Sequence, residues 1–268
     1  MSRGAVKWRG SPRALFASPA RKRVAIRTLT RSPVYRIDRL SDRVCTLVSG
    51  GVDSAILAWK LMQDGSEVHP VYVRAGMAWE SVEQTWLERY LDAIAAPKLR
   101  PLRALSFPLD DIYESHWSLG RSDGPGYDAP DEAVYLPGRN LVLISKAAVY
   151  CALNGIDRMA LGLLAANPFP DATDAFFTHL ERAISAGLAL DLRIERPLSA
   201  LHKADVVRMG AHLPLALTFS CIRPAGEWHC GDCNKCAERQ RGFIEAGVAD
   251  RTRYARAPGL VRVSADEP

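Results

Sequence analysis

The stretch Val48-Ser49-Gly50-Gly51-Val52-Asp53-Ser54 decides the fold of this chain. It ends a short apolar run, Val44–Val48, that is typical of a buried strand, and it leads into a helical pattern over residues 54–63. Two glycines let a backbone approach an anion closely, and the start of a helix carries partial positive charge. We therefore predict that this phosphate loop (residues 48–54) binds a pyrophosphate group through its amides and the hydroxyls of Ser49 and Ser54.

Asp53 gives the loop a second property. A carboxylate beside a phosphate site is best explained as a ligand to the Mg²⁺ that accompanies ATP. The stretch lacks the Gly-Lys-Ser/Thr ending of the Walker A loop, so a different nucleotide site is expected. A tight turn capped by Asp or Ser would explain one glycine and one cap, but not the whole stretch.

Apolar β-branched runs alternate with helical patterns along the rest of the chain, as in a parallel sheet with crossover helices. The predicted strands are residues 44–48, 68–73, 101–105, 158–163 and 192–195. The predicted helices are residues 54–63, 81–95, 140–153, 174–186 and 200–209. The fold class is therefore α/β, with an open, doubly wound and mostly parallel sheet.

Four of the six cysteines lie close together near the end of the chain, in the spacing C-x8-C-x2-C-x2-C: Cys221, Cys230, Cys233 and Cys236. Four thiolates close a tetrahedral shell, which is typical of one structural Zn²⁺ per chain. An iron–sulfur cluster accepts the same ligands and stays an alternative. Disulfides are disfavoured because the sequence shows no secretion signal. Cys45 and Cys151 are expected to be core residues.

The charge of the chain is unevenly distributed. The formal net charge is +5, yet residues 1–40 hold 11 Lys and Arg against one acid, Asp38. The remainder carries 24 basic and 29 acidic residues, which is a net charge of −5 and argues against a basic, nucleic-acid-binding body. Residues 1–40 are interpreted as a loose extension or an early start, with an RNA-binding arm or a targeting segment as alternatives. A composition of 48% hydrophobic and 24% charged residues is that of a globular protein.

These patterns predict a division of the chain into four parts. They are a basic N-terminal extension (1–40), an ATP-binding α/β domain (41–215), a zinc-binding module (216–256) and a tail (257–268). A Gly, Pro and Asp-rich stretch at residues 120–131 reads as a lid or a surface loop. No apolar run approaches the roughly 20 residues that cross a bilayer, so we expect a cytoplasmic protein without a membrane partner.

The phosphate loop resembles the PP-loop, Ser-Gly-Gly-x-Asp-Ser, of the ATP pyrophosphatase superfamily. Further motifs resemble the 7-cyano-7-deazaguanine synthase family, QueC, and the resemblance covers residues 44–254. The motifs are Tyr135-Leu136-Pro137-Gly138-Arg139-Asn140, Arg196-Pro197-Leu198 with Lys203-Ala204-Asp205, Thr218-Phe219-Ser220-Cys221, and Cys230-Gly231-Asp232-Cys233-x-x-Cys236-x-x-Arg239.

The resemblance implies an adenine nucleotide alpha hydrolase-like fold and an ATP-dependent C–N ligase of queuosine or archaeosine biosynthesis. The implied reaction converts 7-carboxy-7-deazaguanine and ammonia to the nitrile through an adenylated carboxylate, and the implied assembly is a homodimer. Asp53, Arg139 and Lys203 are the implied catalytic residues. The implied ATP contacts are Val48, Ser49, Gly50, Gly51, Val52, Asp53, Ser54, Ala55, Ile56, Leu57, Ala58, Arg139 and Asn140.

Two segments depart from the family pattern. Val73–Glu80 replaces an Asp-Tyr-Gly-Gln-like segment, and Asn167–Thr173 replaces a segment resembling Gly-Tyr-Pro-Asp-Cys-Arg. The candidate substrate-binding residues in these segments are Arg74, Trp79, Asn167, Phe169 and Asp171, although Trp79 and Phe169 could equally be core. The departures leave two other functions open. One is a QueC paralogue that forms an amide on a different acceptor, and the other is an RNA-binding or regulatory protein with an ATP-sensing PP-loop.

Overall fold

The structure is a computed structural model, and it describes residues 42–165 and 167–256. The predicted N-terminal extension, including an edge strand suggested at residues 23–30, lies outside the described residues, as does the predicted tail. The prediction that residues 216–256 form a separate module stays a prediction.

The described residues form one parallel sheet of five strands in the order β3-β2-β1-β4-β5. Its first strand lies at the centre, where Leu47 pairs with Val71 on one side and with Leu161 on the other. The strand order therefore reverses between β1 and β4, the place where such sheets bind ligands. The strands are β1 (Arg43–Leu47), β2 (Glu67–Arg74), β3 (Arg103–Ser106), β4 (Arg158–Leu161) and β5 (Arg193–Glu195).

Helices cover both faces of this sheet, which confirms the doubly wound fold. All five predicted strands and all five predicted helices are present, with bounds shifted by up to three residues. The largest shift is at Lys203, where a helix begins because the Asp205 carboxylate accepts a hydrogen bond from the His202 N–H (3.1 Å). The helices are α1 (Val52–Gln63), α2 (Glu80–Ala93), α3 (Asp110–Tyr113), α4 (Arg139–Asn154), α5 (Asp174–Leu188), α6 (Lys203–Met209) and α7 (Asn234–Ala246).

The sequence pattern predicts neither α3 nor α7. Helix α3 has only four residues, and none of them is buried. Helix α7 buries polar side chains along with apolar ones, namely Asn234, Arg239 and Gln240, so its apolar period is hidden. Short 3-10 helices at residues 117–119, 131–134, 170–172 and 215–217 complete the described structure.

Alternation along β1 divides the core between the two faces of the sheet. Val44 packs with Ile56 and Leu57 of α1, while the next residue, Cys45, packs with Ile144 of α4 on the opposite face. Cys45 and Cys151 are fully buried in that second cluster, which confirms the prediction that they are core residues. No helix among the described residues is both long enough and apolar enough to cross a bilayer.

The packing of α1 against α6 yields a stability prediction. A Cβ atom at Gly210 would lie 2.5 Å from Cδ1 and Cγ1 of Ile56, which is fully buried and cannot move aside cheaply. We expect Gly210→Ala to lower the free energy of unfolding by about 1–3 kcal/mol, measured by urea denaturation. In the matched control Gly187→Ala, the added methyl on α5 meets nothing within 4 Å, so stability should stay equal or rise. Equal stability of the two variants would contradict this account of the packing.

Candidate active site

A cleft opens where β1 and β4 end side by side. The phosphate loop enters it from β1, and Gly162 enters it from β4. A Cβ atom on Gly162 would lie 3.0 Å from the Ser54 nitrogen, so only glycine allows this close approach to the start of α1. The residues that line the cleft around the loop include Ser49, Gly51, Val52, Asp53, Ser54, Trp79, Glu83, Arg139, Asn140, Lys203, Lys235, Glu238 and Arg239.

The phosphate loop is held in shape by hydrogen bonds of its own. The hydroxyls of Ser49 and Ser54 lie 3.3 Å apart, and Ser54 Oγ donates to the Gly51 carbonyl (3.2 Å). Gly50 has a φ of +74°, which favours glycine. Helix α1 begins at Val52, so its first N–H groups have no partner within the helix and are available to an anion in the cleft.

Asp53 and Lys203 meet in the cleft, as the sequence predicts for two residues of one site. The Lys203 ammonium lies 2.6 Å from Asp53 Oδ2 and 2.8 Å from Oε1 of Glu238 on α7. Burial alone would lower the pKa of Lys203, but the two carboxylates outweigh it and raise that pKa. Lys203 is therefore a fixed positive charge. The second oxygen of Asp53, Oδ1, is buried and has no hydrogen-bond partner among the described residues.

Helix α7 brings charge to the cleft that the sequence prediction did not include. Glu238 also pairs with Lys235 (2.5 Å). Burial raises the pKa of Glu238, but the charges of Lys203 and Lys235 outweigh burial, so the pKa is lowered overall. A Cβ atom at Gly242 would lie 2.3 Å from Lys203 Cγ, so this glycine leaves the room that the lysine stem occupies.

Arg139 and Asn140 begin α4 at the opposite wall of the cleft. The Nε atom of Arg139 is buried without a hydrogen-bond partner among the described residues, which suits an anion bound in the cleft. Asn140 is held by Asp171, whose carboxylate accepts from the Asn140 N–H (3.1 Å) and whose carbonyl accepts from Nδ2 (3.0 Å). Burial raises the pKa of Asp171, and the Asn140 hydrogen bonds oppose that rise.

Glu83 of α2 lies beside the loop on the same cleft. It is 6% exposed, and its Oε2 accepts a hydrogen bond from the Tyr72 hydroxyl (2.6 Å). A Cβ atom at Gly50 would lie 3.2 Å from Glu83 Cγ, so the carboxyl group reaches past the glycine. Burial raises the pKa of Glu83 to about 8, against the lowering effects of Tyr72 and Arg139.

The structure does not bring every predicted nucleotide contact to the cleft. Four of them, Ala55, Ile56, Leu57 and Ala58, are at most 1% exposed and pack in the core, because only the first turn of α1 faces the cleft. Val48 is among the residues that line the cleft, although it is only 4% exposed, and its N–H donates to the Val71 carbonyl.

The candidate substrate-binding residues differ in whether they line the cleft. Trp79 lines the cleft, is 4% exposed and stacks on Trp117. Arg74 is exposed and donates to Gln84. Asn167 accepts from the Phe169 N–H, and Phe169 stacks on Tyr135. Of these candidate residues, Trp79 alone is among the cleft-lining residues that the structure describes.

The four cysteines predicted to bind zinc form one buried cluster. Their Sγ atoms all lie within 4.8 Å of one another, and the pairs Cys221–Cys233 and Cys230–Cys236 are 3.9 and 3.8 Å apart. Sulfur atoms about 2.3 Å from a tetrahedral ion are about 3.8 Å apart, so the cluster fits Zn²⁺. The N–H groups of Arg223 and Cys230 donate to Cys221 Sγ, as suits a thiolate.

The cysteine cluster is connected to the phosphate loop by hydrogen bonds. The Phe219 N–H donates to the Gly50 carbonyl (2.7 Å), and the Ser220 N–H donates to Nε2 of His229 (3.1 Å). Arg239 of α7 donates to the Thr218 hydroxyl and to the Leu215 carbonyl, both at 2.8 Å. Burial, followed by the charge of Arg239, lowers the pKa of His229, so this histidine is neutral. A metal in the cluster would thus brace residues that form the cleft wall.

The stretch 120–131, predicted as a lid or a surface loop, packs against α7. The Asn234 N–H donates to the Pro125 carbonyl, Asn234 Nδ2 donates to the Ala129 carbonyl (2.6 Å), and the Tyr127 hydroxyl donates to Gln240 (2.7 Å). Helix α7 therefore carries a cysteine of the cluster and also binds this stretch.

Three charged cleft residues, Glu83, Lys235 and Glu238, were missed by sequence reasoning. For Glu83 a signal exists, because Glu80 and Glu83 continue the spacing of the buried residues Leu87 and Tyr90 on α2. Burying a carboxyl group costs folding free energy, so an acidic residue at a core position of a helix indicates a functional site. For Lys235 and Glu238 no such signal exists, since helix α7 itself is hidden in the sequence.

The family model and the curated relatives that match this sequence point to one family. The family model described as "Queuosine biosynthesis protein QueC" matches residues 43–247. Proteins named 7-cyano-7-deazaguanine synthase are similar over most of the chain. The one from Methanothrix thermoacetophila is 34% identical over 224 residues, which are 79% of this chain and 98% of that protein. Those from Nitratiruptor sp. and Anaeromyxobacter dehalogenans are 31% and 32% identical, over 79% and 80% of this chain and 98% and 96% of those proteins.

The cysteine cluster yields a prediction about metal content. Cys236→Ser removes one of four ligands, so we expect the purified variant to lose most of its bound zinc and to unfold at lower urea concentration. Zinc is measured by elemental analysis of the purified protein. Cys151→Ala is the matched control, because this buried cysteine lies in the other core cluster, and its zinc content should stay at one per chain. Equal zinc content in both variants would contradict the assignment.

Glu83 yields a prediction about pH. An unfolded glutamate titrates near pH ~4.3, so between that value and about 8 the folded state holds a proton that the unfolded state lacks. Stability should therefore fall as pH rises through this window, and Glu83→Gln should remove about 5 kcal/mol of that fall. Urea denaturation at the two ends of the window measures it. The exposed Glu88→Gln control should keep the wild-type pH dependence, and a wild-type dependence in Glu83→Gln would overturn the assignment.

Proposed function

Because the chain belongs to the QueC family of queuosine biosynthesis proteins, we propose that it uses ATP to convert 7-carboxy-7-deazaguanine and ammonia into 7-cyano-7-deazaguanine. The proposal takes its substrate and product from the relatives that are named 7-cyano-7-deazaguanine synthase. It takes its use of ATP from the phosphate loop and the cleft around it.

The observation that carries the ATP-dependent part is the pair of unsatisfied polar atoms in one cleft. Asp53 Oδ1 is an acceptor and Arg139 Nε is a donor, and both are buried without partners among the described residues. Buried polar atoms without partners are rare in folded proteins and are costly. A cation at Asp53 and an anion at Arg139 would satisfy both, and a nucleotide with its magnesium provides that combination.

The proposed reaction begins by activating the carboxylate. A carboxylate is a poor electrophile until one oxygen becomes part of a leaving group. Its attack on the α-phosphorus of ATP would give the acyl adenylate and release pyrophosphate. The amides at the start of α1 would hold the phosphates, while Arg139 and Lys203 would offset negative charge as the phosphorus bond breaks.

Ammonia then attacks the acyl carbon and AMP leaves with the bonding electron pair, which gives the amide. The amide oxygen then attacks the α-phosphorus of a second ATP and releases pyrophosphate. Loss of two protons from nitrogen, with departure of AMP and the C–O electron pair, gives the nitrile. Each step needs the same positioned phosphates, so one cleft serves both activations.

Asp53 would hold Mg²⁺, which neutralises phosphate charge when it is bound. The residues fit this ion, because Oδ1 of Asp53 is buried and unsatisfied in the described structure. The Zn²⁺ held by the four cysteines would have no open coordination position. Its role would be to brace the wall of the cleft at residues 215–221.

A second candidate function keeps the ATP chemistry and changes the acceptor. Trp79 enters the cleft from Val73–Glu80, a segment that departs from the family pattern, and it stacks on Trp117 at a ring distance of 5.9 Å. The departure of this segment from the family pattern, beside the cleft, favours a different acid or amine as co-substrate. In this case the enzyme would stop at an amide.

Mass spectrometry of the reaction products tests the proposal. Purified zinc-loaded protein with ATP, magnesium, ammonium and 7-carboxy-7-deazaguanine should yield the nitrile and pyrophosphate. An amide alone would favour the second candidate, while ATP turnover without any modified deazaguanine would contradict the proposed substrate.

Asp53→Asn keeps the shape of the side chain and removes its charge. We expect a loss of roughly 100-fold or more in the rate of product formation, because phosphate charge is then less well neutralised. Asp92→Asn, on the exposed side of α2, is the control and should keep the wild-type rate. Full activity of Asp53→Asn would remove Asp53 from the mechanism.

A further inference from the structure

Three carboxyl groups line the cleft beside the phosphate loop, and two of them are bound to cations of the chain. Asp53 is bound to Lys203, and Glu238 is bound to both Lys203 and Lys235. Glu83 is the third, and it forms no ion pair among the described residues.

The surroundings of Glu83 leave one of its oxygens unused. Tyr72 donates to Oε2, whereas no described residue donates to Oε1. The residue is only 6% exposed and lines the cleft, so a ligand would reach this oxygen from the cleft. In its ionised form, a buried carboxylate that opens into a cavity without an ion-pair partner is suited to bind a small cation from solution.

The proposed reaction needs such a cation. Ammonia in water near neutral pH is mostly ammonium, which has no lone pair for attack, and the nitrogen must lose a proton before it can form a bond. Resting on the proposed function, we infer that Glu83 is the site at which ammonium binds and that its carboxylate accepts the proton that frees the nucleophile.

One N–H bond of ammonium breaks, its proton goes to a Glu83 oxygen, and its electron pair stays on nitrogen. That pair forms the C–N bond at the acyl carbon, and the C–O bond to AMP breaks with its pair on the phosphate oxygen. The attached nitrogen loses one further proton to the leaving phosphate or to water, and Glu83 returns its proton to solvent.

The groups around Glu83 agree with this role. Tyr72 of β2 holds the carboxylate in place, Glu80 of the same helix adds negative charge, and Arg139 of α4 adds positive charge across the cleft. Burial is the largest influence, and it raises the pKa of Glu83 to about 8. Below a pH of about 8 only part of the Glu83 population is ionised, and it is this ionised form that binds ammonium and accepts the proton.

A change of nucleophile tests the inference. Hydroxylamine is uncharged near neutral pH and needs no base to free its lone pair, so its attack on the acyl adenylate should bypass Glu83. We expect Glu83→Gln to slow product formation with ammonium chloride by roughly 100-fold. Hydroxamate formation by the same variant should change by less than about threefold, since glutamine keeps the volume and can accept the Tyr72 hydrogen bond. Both products are measured by mass spectrometry.

Two controls separate this role from others. Glu88→Gln, exposed on the same helix, should be unchanged with both nucleophiles. Pyrophosphate exchange into ATP with the acid substrate and no amine reports adenylation alone, and it should be unchanged in Glu83→Gln.

The outcomes are distinguishable. An equal loss with ammonium and hydroxylamine, or a loss of pyrophosphate exchange, would give Glu83 a structural role and overturn the inference. A raised magnesium requirement in Glu83→Gln would make it a metal ligand and would also overturn it. Wild-type protein that forms neither nitrile nor hydroxamate would overturn the proposed function, and the inference with it.

Discussion

The ion pairs of Lys203 are the interaction on which the rest of the site depends. One ammonium joins Asp53, at the start of α1, to Glu238, on the helix that carries a cysteine of the cluster. These pairs are partly buried, and breaking them leaves an uncompensated charge in the cleft, which destabilises the fold. The glycine at position 242 and the hydrogen bonds of Arg239 serve the same end, because they keep α7 close enough for this contact. The phosphate loop and the cysteine cluster thus form one structural unit, although the sequence separates them by more than 150 residues.

Much of this arrangement could be predicted from sequence, because it depends on local rules. Each local pattern constrains the backbone within a few residues: the apolar strands, the helical periods and the glycines of the loop. Together these patterns predict the parallel sheet that the structure contains. The four cysteines were found for the same reason, since their spacing is itself the geometric requirement of a tetrahedral site. Arg139 and Lys203 came from resemblance to a family rather than from spacing, and the structure places both at the cleft.

The remaining features depend on long-range packing, which a single sequence does not display. Helix α7 buries an arginine and a glutamine, and such residues normally indicate a surface. Their partners, among them the Thr218 hydroxyl and the Leu215 carbonyl, are identifiable only in three dimensions. Helix α1 shows the reverse case. Residues 55–58 follow the family motif in sequence, which predicts that they contact the nucleotide, but the helix turns their side chains into the core. Proximity to a motif in the chain is therefore a poor guide to contact with its ligand.

The separation of Asp53 from Lys203 and Glu238 has a consequence for biosynthesis of the protein. Domains are generally completed in the order of translation, from the N-terminus onward. The nucleotide loop leaves the ribosome early, with β1 and α1, but its counter-charges follow after some 150 residues and the cysteines later still. Until α6 and α7 have been synthesised, the phosphate loop lacks the charged residues that surround it in the described structure. Under the proposed function, the nucleotide site would be complete only when α7 has docked, so a nascent chain would not consume ATP before that point.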